Sequence, residues 1–140
     1  MYQLRGKLSI VMPAYNEEAL IYNSIMQTLS IVEQFAPDLE IIAVNDGSKD
    51  KTKQEIERAI RDDAKQPHPV VPGMRVSGTR IKLVTSNKNR GKGNAIISGI
   101  SQAEGDYIAF VDADLELNPA QLEGYLKKMQ ESGSDVVTVS

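Results

Sequence analysis

The chain has 140 residues with 16 basic and 19 acidic side chains and a formal net charge of -3, a size that fits one compact domain around a single core. That balance, with no dense Lys/Arg stripe, excludes a nucleic-acid footprint, and the lack of cysteine excludes disulfides, thiolate metal sites and thiol nucleophiles. Met1 to Lys7 contains no apolar leader, and no apolar run approaches the roughly 20 residues of a membrane helix, so the cytoplasm is the expected location.

The pattern predicts five short strands: Leu8 to Met12, Glu40 to Val44, Ile81 to Val84, Tyr107 to Val111, and Asp135 to Val139. Helical spacing separates them. Ile21, Ile25, Leu29 and Val32 mark the first helix, Ile56, Ala59 and Ile60 the second, and Ala95, Ile96, Gly99, Ile100 and Ala103 the third. The fourth has Asn118 as its cap, Pro119 at its first position, Leu122, Leu126 and Met129 on one face and Gly133 just past its end. Alternation of this kind implies an α/β fold, Rossmann-like, with a mainly parallel sheet and helices on both faces.

One segment breaks the rhythm. Asp62 to Thr79, with Pro67, Pro69, Pro72, Gly73 and Gly78, reads as a long connection, functional or mobile. The sole histidine, His68, falls inside it between two prolines and reads as an exposed polar side chain without chemistry.

Ligands of open parallel sheets bind outside the carboxyl ends of the strands, so the residues that follow each strand matter most. Pro13 to Glu17 follows the first strand, Asn45 to Asp50 the second, and Asn87 to Gly93 the third. Asp112 and Asp114 stand at the end of the fourth; residues two apart in an extended strand point the same way, so both carboxylates project to one side, where a cation or a donor-rich ligand offsets their repulsion. Each loop also has a plain structural explanation. Asn16 can cap a helix whose first turn holds Glu17 and Glu18, Asp46-Gly47-Ser48 is a good turn, Asp50 can cap the second helix, and two aspartates can form an acidic turn. Arg90-Gly91-Lys92-Gly93 has the composition of a phosphate-cradling turn before a helix, yet it is neither a Walker motif nor a dinucleotide fingerprint.

Together, Ile10-Val11-Met12-Pro13-Ala14-Tyr15-Asn16-Glu17, Asn45-Asp46-Gly47-Ser48-Lys49-Asp50, Asn89-Arg90-Gly91-Lys92-Gly93-Asn94-Ala95 and Asp112-Ala113-Asp114 resemble the family 2 glycosyltransferases of the GT-A fold, in order and spacing. Within that family the dolichyl- and polyprenyl-phosphate sugar transferases look nearest. The resemblance implies a GT-A nucleotide-sugar-binding domain over 1–140, with a flexible insertion at 62–79, that is an inverting transferase using a UDP- or GDP-sugar donor. It puts Pro13, Tyr15 and Glu17 beside the nucleoside and Asp46 on the base, with Lys92, Asp112 and Ala113 completing the donor set. Asp112 and Asp114 become the catalytic pair that holds Mg2+ or Mn2+. The acceptor implied is a lipid phosphate or a saccharide. Membrane association, at the cytoplasmic face, would come through segments absent from this chain.

The sequence stops at Ser140, where members of that family continue into acceptor-binding elements, so the domain is expected to be truncated at its C-terminus. A non-catalytic nucleotide-sugar binding or regulatory module is the alternative. A nucleotidyltransferase would carry its glycine-rich loop after the first strand, where Pro13-Ala14-Tyr15-Asn16 stands. A haloacid-dehalogenase-like phosphatase would carry Thr or Val at the position of Glu116.

Overall fold

The computed structural model describes residues 2–68 and 78–133. Strands and helices alternate as the pattern requires: β1 (Leu8–Ala14), α1 (Ile21–Val32), β2 (Leu39–Asp46), α2 (Thr52–Ala64), β3 (Ile81–Ser86), α3 (Lys92–Gln102) and β4 (Tyr107–Phe110). A 3-10 turn over Pro119–Gln121 then leads into α4 (Leu122–Ser132). The expected strand at Asp135 to Val139 lies outside the described residues.

The sheet has the order β3-β2-β1-β4, and every neighbouring pair is parallel. All eight residues of β2 are buried, as its central place demands, because helices cover a parallel sheet from both sides. Alternation along the strands divides the apolar residues between two layers. Leu8, Ile10 and Met12 of β1, with Ile41 and Ala43 of β2, pack against Ile21, Ile25 and Leu29 of α1, Ile56 and Ala59 of α2, and Leu122 and Leu126 of α4. Val11, Ile42 and Val44 point the other way and meet Ala95 of α3. That second layer is thinner, and Ile108 and Phe110 of β4 stay largely exposed.

α3 sits close to the sheet because Gly99 has no side chain. A Cβ there would lie 2.4 Å from Val11 Cγ1 and 3.2 Å from Val44 Cγ2, well inside normal contact. The helix signals at α4 behave as read. Asn118 Oδ1 accepts from Ala120 N at 3.0 Å, Pro119 follows it, and Gly133 closes the helix in the left-handed region at φ 68°.

Three expectations need correction. The N-terminus of α1 is not capped by Asn16, because a turn at Glu17–Leu20 delays the helix to Ile21 and the Asn16 side chain is used elsewhere. The connection expected from Asp62 begins later, since α2 runs to Ala64, and its ends are tied together. The Asp63 carboxylate, fully buried, accepts from Arg80 N at 2.7 Å and from Arg80 Nη2 at 2.7 Å, while Arg80 Nη1 reaches Glu33 at 2.8 Å. His68 belongs to the same cluster. Its side chain is only 4% exposed, with Nε2 2.9 Å from the Asp63 carbonyl oxygen, so it serves packing at the end of α2 rather than standing in solvent.

A second buried carboxylate, Glu40, anchors the amino end of the sheet. Its Oε2 accepts from Ser9 Oγ at 2.6 Å and from Glu104 N at 2.8 Å, and Lys82 Nζ lies 2.9 Å from its Oε1.

Candidate active site at the carboxyl ends of the strands

The chain passes from β1 outward through β2 to β3, then crosses back to place β4 on the other side of β1. The loops after β1, β2 and β3 and the turn after β4 come together at the carboxyl ends of the strands, and a crevice lies among them. It is a cleft of about 270 Å3, lined by Pro13, Ala14, Tyr15 and Glu17 from the end of β1 and Asp46 from the end of β2. Asn89, Gly91, Lys92 and Ala95 from the β3–α3 loop and α3, with Asp112 beyond β4, form the rest of its wall.

Tyr15 and Glu17 both reach the cleft because the residue between them turns the chain back on itself. Asn16 adopts φ 52°, a left-handed conformation that asparagine tolerates better than most residues. Its N–H donates to Ser48 Oγ at 3.0 Å, and its Oδ1 accepts from Lys49 N at 2.9 Å. Further bonds join the same two loops. Glu17 N donates to Thr52 Oγ1 at 2.8 Å, Glu18 N to Asp50 Oδ2 at 3.2 Å, and Lys51 N to Glu18 Oε2 at 3.1 Å. Asp50 also accepts from Thr52 N at 2.9 Å, but it stands one residue ahead of the N-cap, which is Lys51 and not the expected Asp50. Burial works against the Asp50 anion, yet the bonds from Thr52 and Glu18 prevail and hold its carboxyl below the usual range.

Asp46 performs the same task toward the third loop. Its Oδ1 accepts from Arg90 N at 2.9 Å and its Oδ2 from Gly91 N at 3.0 Å. The same aspartate lines the cleft. Gly47 follows at φ 69°, and a Cβ there would lie 2.3 Å from the backbone carbon of Lys88, so only glycine lets the second and third loops meet.

The acidic pair does not stand as strand alternation would place it. β4 ends at Phe110, and Asp112 to Leu115 form a turn in which Leu115 N donates to the Asp112 carbonyl at 3.0 Å with Leu115 at φ 51°. Asp112 faces the cleft, where its Oδ1 lies 2.7 Å from Lys92 Nζ. Asp114 is exposed, accepts from Glu116 N at 3.0 Å, and is not part of the cleft wall. Ala113 is buried, and its carbonyl accepts from the Ser24 hydroxyl of α1, which holds the turn against the helix layer. The structure thus gathers Pro13, Tyr15, Glu17, Asp46, Lys92 and Asp112 in one place, and sets Ala113 and Asp114 behind and beside it. Ala14, Asn89, Gly91 and Ala95, which stand within the sequence motifs but whose small or neutral side chains suggest no site role, complete the wall.

Negative charge is in excess on the cleft wall, where Glu17, Asp46 and Asp112 stand with Lys92. Burial pushes the Glu17 carboxyl above the usual carboxylate range, and the charges of Asp114 and Asp50 push it the same way. Among the described residues no group of three or more His, Cys, Asp or Glu side chains is arranged to hold a metal ion. A divalent cation that keeps its waters and takes substrate phosphates needs fewer protein ligands than that, and the ammonium of Lys92 already occupies a cation's place on Asp112. Hard oxygen donors, surplus negative charge and a stand-in cation suit Mg2+ or Mn2+.

The sheet order and the cleft at the strand ends define a doubly wound α/β domain. The chain belongs to glycosyl transferase family 2, whose family model matches residues 9–140. It is 35% identical over 131 residues to an undecaprenyl-phosphate 4-deoxy-4-formamido-L-arabinose transferase of Enterobacter sp. (strain 638), covering 94% of this chain and 36% of that protein. A Photorhabdus laumondii protein of the same name is 36% identical over 131 residues, with the same coverage of 94% and 36%. The chain therefore spans about a third of the length of these curated relatives. Among solved structures, a mannosyltransferase from Pyrobaculum calidifontis in complex with GDP-Man and Mn2+ superposes with a TM-score of 0.70 at 23% identity, over 90% of this chain and 33% of that one. S. aureus TarS in complex with UDP gives 0.65 at 26% identity, over 92% and 33%. The GT-A expectation for the fold is met.

Proposed function

We propose that this domain binds a nucleotide-diphospho-sugar together with Mg2+ or Mn2+, and that the protein containing it transfers the sugar, with inversion, to an acceptor of the polyprenyl-phosphate class. One observation carries the reading: Tyr15, Glu17, Asp46, Lys92 and Asp112, from four separate loops, line a single cleft. The curated relatives, named for transfer to undecaprenyl phosphate, support the acceptor class. The neighbours solved in complex with GDP-Man and Mn2+ and with UDP support a nucleotide ligand.

Each residue has a task that its position allows. Tyr15, exposed at the cleft, can stack on a base, and the Asp46 carboxylate, whose oxygens can each accept more than one hydrogen bond, can accept from a base N–H. Glu17 can accept from ribose hydroxyls. Asp112 and Asp114 would hold the cation, which supplies Lewis-acid stabilisation of the charge that develops on the departing nucleoside diphosphate. Lys92 adds a positive charge beside it. A lipid phosphate is already anionic, so this acceptor attacks the anomeric carbon without a strong base, and a hydroxyl acceptor would require one. No helix among the described residues is long and apolar enough to cross a membrane, so contact with a lipid-linked acceptor would be made from the membrane face or through other parts of the protein.

Calorimetric titration with UDP-glucose and GDP-mannose, in Mn2+ and then in chelator, tests the donor half. Binding of one donor that weakens at least about tenfold in chelator, and again in Asp114→Asn, is the expected result. Equal affinity with and without metal would remove the cation from the reading. Donor binding without sugar release or transfer to polyprenyl phosphate by the full-length protein would favour the non-catalytic binding module instead.

A further inference from the structure

The four rim loops are not joined alike. Backbone-directed hydrogen bonds fuse the first to the second through Asn16, Ser48, Asp50 and Thr52, and the second to the third through Asp46. Between α3 and the turn after β4, the contact is an ion pair of two partly exposed side chains, Lys92 and Asp112, 62% and 46% exposed. Such a pair is weak in water and exchanges partners easily.

Lys92 is also misplaced by the rules of helix stability. It is the first residue of α3, where the helix dipole is positive and acidic side chains are favoured, and the first turn contains none. Its backbone is fixed from behind by the hold of Asp46 on Gly91, so what remains free is the flexible stem that swings the ammonium. Charge explains where that ammonium rests. The cleft wall carries Glu17, Asp46 and Asp112 against Lys92 alone, and Asp114 and Asp50 add to the negative potential felt by Glu17.

We propose that Lys92 is an exchangeable cation: it neutralises Asp112 while the cleft is empty, is displaced from that carboxylate by the incoming divalent metal, and then turns to the diphosphate that arrives with it. The inference rests on the nucleotide and metal reading above and adds to it a competition between a side chain and the metal for one oxygen pair. The consequence is ordered occupancy. Metal alone meets a carboxylate that is already paired, whereas metal with a diphosphate offers the lysine a new partner, so the two ligands favour each other's binding.

The sign of two affinities tests this. Mn2+ alone, then UDP and GDP at saturating Mn2+, are titrated calorimetrically into the unaltered chain, Lys92→Gln and, as a control for bulk charge, Lys53→Gln on the exposed side of α2. Lys92→Gln is expected to bind Mn2+ alone about two- to fivefold tighter and the nucleotide about fivefold weaker or worse, with Lys53→Gln matching the unaltered chain in both. Unchanged, weaker or unmeasurable Mn2+ binding by Lys92→Gln overturns the proposal, as does an equal gain in Lys53→Gln. In those cases Mn2+-dependent nucleotide binding by the unaltered chain leaves the functional reading standing. If the unaltered chain binds neither UDP nor GDP in Mn2+, both fall together.

Discussion

Asn16 shows why a single residue can be plain in sequence and opaque in role. Its type suggests a helix cap, and a cap is what its composition predicts, but its side chain and its N–H both cross to the next loop. The left-handed backbone that permits this cannot be read from one asparagine. Glu17, beside it, gives a prediction with a definite sign. Its carboxyl sits above the ordinary value of 4.5, so the folded state disfavours the anion. Stability linked to this group is fully present below the unfolded-state value and is lost as pH rises through the folded-state value. Glu17→Gln should therefore melt higher than the unaltered chain at neutral pH, with the advantage gone near pH 3, and thermal melts at the two pH values check it. The same substitution should weaken nucleotide binding, which separates the residue's cost to the fold from its use in the cleft.

At the scale of the element, α3 carries the clearest constraint. Gly99 touches β1 and β2 so closely that any side chain must displace the helix or the valines beneath it. Gly99→Ala should cost about 1 to 3 kcal/mol in urea denaturation. Adding Val11→Ala in the same chain should recover part of that loss, since it removes the methyl groups that the new one strikes. The existence and type of the described elements were legible because period-2 runs and 3.6-residue spacing point to opposite answers and do not mix in this chain. The ends were less so. Val111 is as apolar as the four residues before it, yet β4 stops at Phe110, and the turn with Leu115 at φ 51° that rearranges the acidic pair leaves no mark on composition. Likewise, nothing in the Pro-rich stretch told that Asp63 would bury its carboxylate between Arg80 and His68, because ion pairs between residues this far apart are set by packing.

At the scale of the whole molecule, the sheet rests on polar anchors at the end opposite the cleft. Burial alone would raise the Glu40 carboxyl, but hydrogen bonds from Ser9 and Glu104 and the charges of Lys82 and Lys7 outweigh it and hold the group below its ordinary value. Its contribution is therefore present above the unfolded carboxylate value and lost as pH falls through the lowered one, opposite in sign to Glu17. Glu40→Gln should lower the melting temperature at pH 7, and the gap should narrow toward pH 3. Equal gaps at the two pH values would mean that the cost is lost packing rather than lost charge. The topology also sets an order of assembly. Each of β1, β2 and β3 meets a neighbour already next to it along the chain, whereas β4 must cross back over the sheet to reach β1. During synthesis from the N-terminus, the part of the cleft built by β1, β2 and β3 can form before Asp112 has left the ribosome, and the wall after β4 is added last. Pulse-labelled amide exchange would record that schedule as early protection of β1 to β3 and late protection of β4.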